Sequence, residues 1–132
     1  MTYQLIKKYN QGYVYHLTPT HNLDSIKQTG LTPTRCRKFG ALSPELLGNK
    51  KPKVFFIPVL NGFGMKGFLQ EWWHDSTDIT TLRISIENIP TLYGSWEYYY
   101  RKQELWSFKS IDSQFIEYNK NGLKKPYIWK QL

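Results

Sequence analysis

Tyr15-His16-Leu17-Thr18-Pro19 sets an imidazole and a hydroxyl two residues apart. In an extended segment that spacing sends both side chains to one face of a sheet. Far along the chain, Lys102-Gln103-Glu104-Leu105-Trp106 places a carboxylate at the start of a strand-like run. Between these two points lies a basic loop with Arg35, Arg37 and Lys38. Arginine offers paired donors to phosphate oxygens. His16, Thr18, Glu104, Arg35 and Arg37 are therefore the side chains to follow. Each has a plainer role as well. His16 can be a core histidine bonded to backbone, and Glu104 a strand-end acid paired with Arg101 or Lys102, with Glu97 as its rival.

Other motifs carry less. Gly62-Phe63-Gly64-Met65-Lys66-Gly67 matches the dinucleotide fingerprint, and Glu87 follows at about the expected separation. That fingerprint needs a parallel strand, a full crossover helix and a second parallel strand. Pro58 interrupts the first strand, and the helix before His74 has only a turn or two. The glycines then read as a turn beneath Trp72 and Trp73. His16, His21, His74 and Cys36 lack metal-ligand spacing, so no metal site is expected. Cys36 is alone, which excludes an internal disulfide.

The elements that must position these groups are short. Tyr13–Thr18 is β-branched and aromatic between Gly12 and Pro19, which predicts a strand. Leu23 and Ile26 mark a short helix that Gly30 closes, with Leu31 packing back. Ser43-Pro44-Glu45 reads as a helix start. Residues 54–60 predict a strand that Pro58 keeps short or at an edge. Residues 68–73 suggest an aromatic helix. Residues 81–87 alternate strictly and form the clearest strand. Residues 96–100, 104–108, 111–118 and 127–129 read as further strands. No repeat or linker divides the chain, so residues 1–132 are expected to form one α+β domain with a split, mostly antiparallel sheet and short edge helices.

Hydrophobic residues make up 40% of the chain and aromatics 17%, ample for a packed core. Five Trp, ten Tyr and seven Phe are an aromatic excess, and the polar tips of buried Tyr and Trp need partners, so some of these are expected to line a groove. The net charge of +8 favours polyanions: nucleic acid first, then an acidic protein or a phosphorylated small molecule. No apolar stretch is long enough to span a bilayer, and Met1–Asn10 lacks a signal-like apolar run. A cytoplasmic location is the default expectation.

The strand with His16 and Thr18, the helix after it and the Gly30-Leu31-Thr32-Pro33 exit resemble the opening of ADP-ribosyltransferase-like proteins of the His-Tyr-Glu kind. The nearest likenesses are the RNA 2′-phosphotransferases and the DNA-targeting toxin transferases. Glu104, followed by Ile111–Ile116, looks like the family's glutamate region. The resemblance implies NAD as the substrate, with His16 and Thr18 holding its nicotinamide riboside part. It implies Glu104 as the group that binds ribose hydroxyls and stabilises the oxocarbenium-like state. Phe55 and Phe56 stand where the family has a tyrosine that stacks on nicotinamide. Arg35 and Arg37 are expected to hold the pyrophosphate. ADP-ribose would pass to a nucleic-acid or protein acceptor, a chemistry that also suits a small phage or mobile-element effector. The contrasting expectation is a non-catalytic basic module that binds nucleic acid or inhibits a protein partner.

Overall fold

Gly12, with φ of 98°, turns the chain into β1 (Tyr13–Pro19). The computed structural model describes residues 12–33, 52–57, 60, 78–94 and 105–132. Strand β1 runs straight into a 3-10 turn (Thr20–Asn22) and then α1 (Leu23–Thr29), which ends at Gly30. The Gly30 N–H donates to the Ile26 carbonyl at 2.7 Å, and its φ of 75° sends Leu31 back toward the core. Leu31 and Ile111 then exchange two backbone hydrogen bonds of 2.9 Å each. A Cβ at Gly30 would run into the Ile111 carbonyl. The glycine that closes the helix therefore also permits this close backbone approach.

Among the described residues the remaining strands are β2 (Val54–Phe56), β3 (Ile79–Ser85), β4 (Tyr93–Gly94), β5 (Leu105–Ser107), β6 (Ile116–Asn119) and β7 (Trp129–Gln131). They form two antiparallel sheets, in the orders β1-β3-β6-β7 and β2-β5-β4. Tyr15 and Ile57 join the sheets by a two-bond bridge of 2.9 and 2.8 Å. The α+β class and the mostly antiparallel split sheet agree with the sequence reading. Among the described residues no helix is long and apolar enough to cross a membrane.

The main core takes Val14, Leu82, Ile84 and Ile116 from the larger sheet, and Val54, Phe56 and Leu105 from the smaller. Ile26, Leu31 and Ile111 close one flank, and Ile86, Ile89 and Leu92 contribute from the turn after β3. Full burial of an aliphatic side chain contributes about 1.5–3 kcal/mol, so this apolar set is the main force joining the sheets.

Several boundaries differ from the sequence reading. Strand β3 lies two residues earlier than the alternation placed it, and Ile86–Asn88 is a 3-10 turn. It is a central strand with Thr80, Thr81, Leu82 and Ile84 all buried, so alternation did not mark an exposed face along its whole length. Residues 111–118 are not one strand. The Asp112 carboxylate accepts from the Gln114 N–H at 3.0 Å, and this cap sets a 3-10 turn (Ser113–Phe115) before β6. Strand β4 was not expected, because Gly94 read only as punctuation.

Candidate functional site

Even-numbered residues of β1 face the core between the sheets. Val14, His16 and Thr18 stand opposite Ile84, Leu82 and Thr80 of β3. His16 thus shares a face with Val14 and Leu82, and its ring meets the Phe56 ring edge-on at 6.3 Å. Its Nδ1 lies 2.7 Å from the Phe55 carbonyl oxygen. A carbonyl can only accept, so Nδ1 carries the proton and Nε2 presents a lone pair when the ring is neutral. Burial lowers the His16 pKa below its ordinary 6.5, while the Phe55 hydrogen bond pulls the other way. The imidazole is therefore neutral near pH 7, an oriented acceptor in an apolar wall.

Phe55 and Phe56 part company, as alternation in a strand requires. Phe56 is buried beside His16. Phe55 gives His16 its carbonyl, while its ring packs outward on the Trp106 cluster with Phe108. Tyr93 stacks on Trp106 at 6.2 Å and meets Phe108 edge-on at 5.1 Å. The Lys53 ammonium lies 5.4 Å from the Phe108 centroid. One of the two phenylalanine rings is thus brought to the histidine and the other is not.

Thr18 follows His16 on the same face and is buried. Its hydroxyl makes only long contacts, donating to the Pro19 carbonyl at 3.5 Å and accepting from Asn22 Nδ2 at 3.4 Å. Both lie near the limit of a useful hydrogen bond, so the hydroxyl retains capacity for a stronger one. Thr80, opposite Thr18, belongs to a tighter relay. Thr20 donates to Asp78 at 2.9 Å, so the 2.7 Å Thr80–Thr20 bond has Thr80 as donor. Sequence reasoning missed this hydroxyl–carboxylate relay, because its members meet only where the end of β1 and the start of β3 come together.

Glu104, Arg35 and Arg37 lie outside the described residues, as do Cys36, Glu97, Trp72 and the Gly62–Gly67 motif. Glu104 directly precedes Leu105, and Leu105 stands opposite Phe56 in the β2–β5 ladder. A groove of about 440 Å³ runs along the turn after β3, lined by Ile86, Glu87, Ile89, Pro90, Thr91, Leu92 and Tyr93. None of His16, Thr18, Phe55 or Phe56 lines it.

The opposite face of the larger sheet carries a second constellation. Tyr15 stands opposite Arg83, and Arg83 opposite Glu117. Arg83 Nε donates to Glu117 Oε1 at 3.0 Å. The guanidinium carbon lies 4.4 Å from the Tyr13 ring centroid and 4.7 Å from that of Trp129. Burial raises the Tyr15 pKa above 10.0, with Arg83 opposing. The signal was present in the sequence: Arg83 sits between Leu82 and Ile84, so it must face away from them.

No protein-family model matches the chain, no curated protein does, and no solved structure does.

Proposed function

We propose that the chain is an NAD-dependent transferase that moves ADP-ribose to a nucleic-acid or protein acceptor. The observation that carries this reading is the His16 Nδ1 bond to the Phe55 carbonyl. It fixes a neutral histidine of the first described strand against the strand with the aromatic pair, and leaves Nε2 to accept from a ribose hydroxyl. The split antiparallel sheet supports it, since that is the coarse architecture the resemblance implies. The order of the strands supports it too. The residue after Glu104 pairs with Phe56, whose ring touches His16.

In this reading the acceptor nucleophile attacks C1′ of the nicotinamide riboside. The C1′–N bond breaks, nicotinamide leaves with the bonding pair, and the acceptor's proton passes to solvent. His16 orients the ribose through Nε2, and the edge of Phe56 keeps water from that side. The Glu104 carboxylate opposes the positive charge that builds on the ribose ring, where electrostatic stabilisation is most effective. Arg35 and Arg37 take the pyrophosphate. Phenylalanine in place of tyrosine keeps an aromatic surface and drops the hydroxyl contact.

The test is NAD turnover, read as free nicotinamide by chromatography with and without oligonucleotide and protein acceptors. Release by the wild-type chain, strongly reduced in His16→Ala, is expected. No release with any acceptor, together with no NAD binding by calorimetry, contradicts the proposal.

A further inference from the structure

The Arg83 face of the larger sheet has no part in the transferase reading. Its rings are held in place. Arg83 lies against both Tyr13 and Trp129, and its charge is matched by Glu117. Tyr127 stacks on Trp129 at 5.9 Å with 24° between the planes, and Tyr15 tilts against Trp129 at 6.1 Å. All these rings remain partly exposed. This is an ordered aromatic surface whose own cation is already neutralised.

Free positive charge is supplied next to it. Residues 118–132 contain no Asp or Glu. Lys120, Lys124 and Lys125 occupy the turn between β6 and β7, are exposed, and form no ion pair among the described residues. The turn is rigid. The buried Asn119 side chain donates to the Gly122 and Lys124 carbonyls at 2.9 and 3.0 Å and accepts from the Asn121 and Ile128 N–H groups at 3.2 and 2.9 Å. The lysine backbone is thereby set before any ligand arrives, which lowers the entropy cost of binding.

We propose that the Tyr127–Trp129 rings and the β6–β7 turn lysines form a docking surface for single-stranded nucleic acid. The rings accept base faces, and Lys120, Lys124 and Lys125 meet the phosphates. Two features select this partner. Unpaired bases stack flat on aromatic rings, whereas the bases of a duplex are already stacked on each other. An acidic protein surface would engage the lysines and leave the rings idle. The chain's +8 charge favours the same partner. The inference stands independently of NAD chemistry.

The test is fluorescence anisotropy with a labelled oligothymidylate of about 12 nucleotides, within the range such surfaces cover. The same sequence is also presented as a duplex, with polyglutamate as competitor. Tight binding to the single strand over the duplex is expected. Tyr127→Ala and Trp129→Ala should each weaken it about tenfold at fixed salt, a size in keeping with the loss of one stacked base. Trp129→Phe should retain most of the affinity, and the melting curve of each variant checks its fold. Lys124→Ala with Lys125→Ala should flatten the salt dependence by about 1.4 in log–log slope, at about 0.7 per phosphate contact. Glu104→Gln should bind as the wild type, which separates this surface from the transferase site. Equal affinity for the duplex, wild-type binding by both folded ring variants, or equal competition by polyglutamate would each overturn the proposal.

Discussion

The two faces of the larger sheet use the same strands for opposite ends. On β1, Val14 and His16 go inward while Tyr13 and Tyr15 go outward; on β3, Leu82 and Ile84 go inward while Arg83 goes outward. The inner face is aliphatic, with one imidazole held by a backbone carbonyl. The outer face is aliphatic at one end, where Leu17, Ile57 and Ile79 are buried together, and aromatic at the other, where one guanidinium is held by rings and a carboxylate. Each face thus solves the problem of a buried or half-buried polar group differently. Inside, the group loses its charge. Outside, it keeps its charge and gains partners. The partners each face supplies, a lone carbonyl inside and a carboxylate with rings outside, decide which solution works.

The sharpest way to test that contrast is to remove one residue from each face. Leu82→Ala, at a fully buried position between β1 and β6, should cost about 2–5 kcal/mol, read from denaturant unfolding. Gly30→Ala, at the edge of the same core, should cost more than the about 1–3 kcal/mol of backbone strain alone, because the Ile111 carbonyl blocks the new methyl group. On the outer face Arg83→Met should cost about 1–2 kcal/mol through two lost ring contacts. Glu117→Gln should cost less than about 1 kcal/mol, and that cost should shrink in high salt. An Arg83→Met loss equal to that of Leu82→Ala would mean that the rings around Arg83 are packed as tightly as the aliphatic core.

Acid should separate the faces as well. The folded His16 pKa lies below its unfolded value of 6.5, so the unfolded chain binds that proton first. Stability contributed by neutral His16 is complete above about pH 6.5 and is lost as pH falls toward the folded pKa. The melting temperature should fall across that acid window, and His16→Gln should remove His16's share of the fall. An unchanged acid slope in His16→Gln would show that the imidazole is not desolvated.

Much of this arrangement was legible in the residues. Gly12 precedes β1 and Pro19 ends it, and the two-residue repeat puts His16 and Thr18 on one face. Gly30 marked the helix end for a local reason that the chain itself displays. What could not be read was set by distant partners. Asp112 diverts a strand-like run into a turn through one carboxylate bond. Tyr93–Gly94 becomes a strand only because Trp106 and Leu105 stand beside it. The Arg83 cluster draws on Tyr13, Glu117 and Trp129, which meet only when four strands assemble. Phe55 and Phe56 looked like one aromatic unit, yet the pleat sends their rings to opposite sides.

If the His16 face is the reaction site proposed, Glu104→Gln is the variant that exposes it. Glutamine keeps the size and hydrogen bonding of the side chain and removes the charge that would stabilise the oxocarbenium-like state. Nicotinamide release should fall by about ten-squared to ten-cubed, by analogy with the loss of one stabilising electrostatic contact. NAD affinity and melting temperature should stay near the wild-type values, because the loss is confined to the transition state. Nicotinamide release by Glu104→Gln at the wild-type rate would contradict the account.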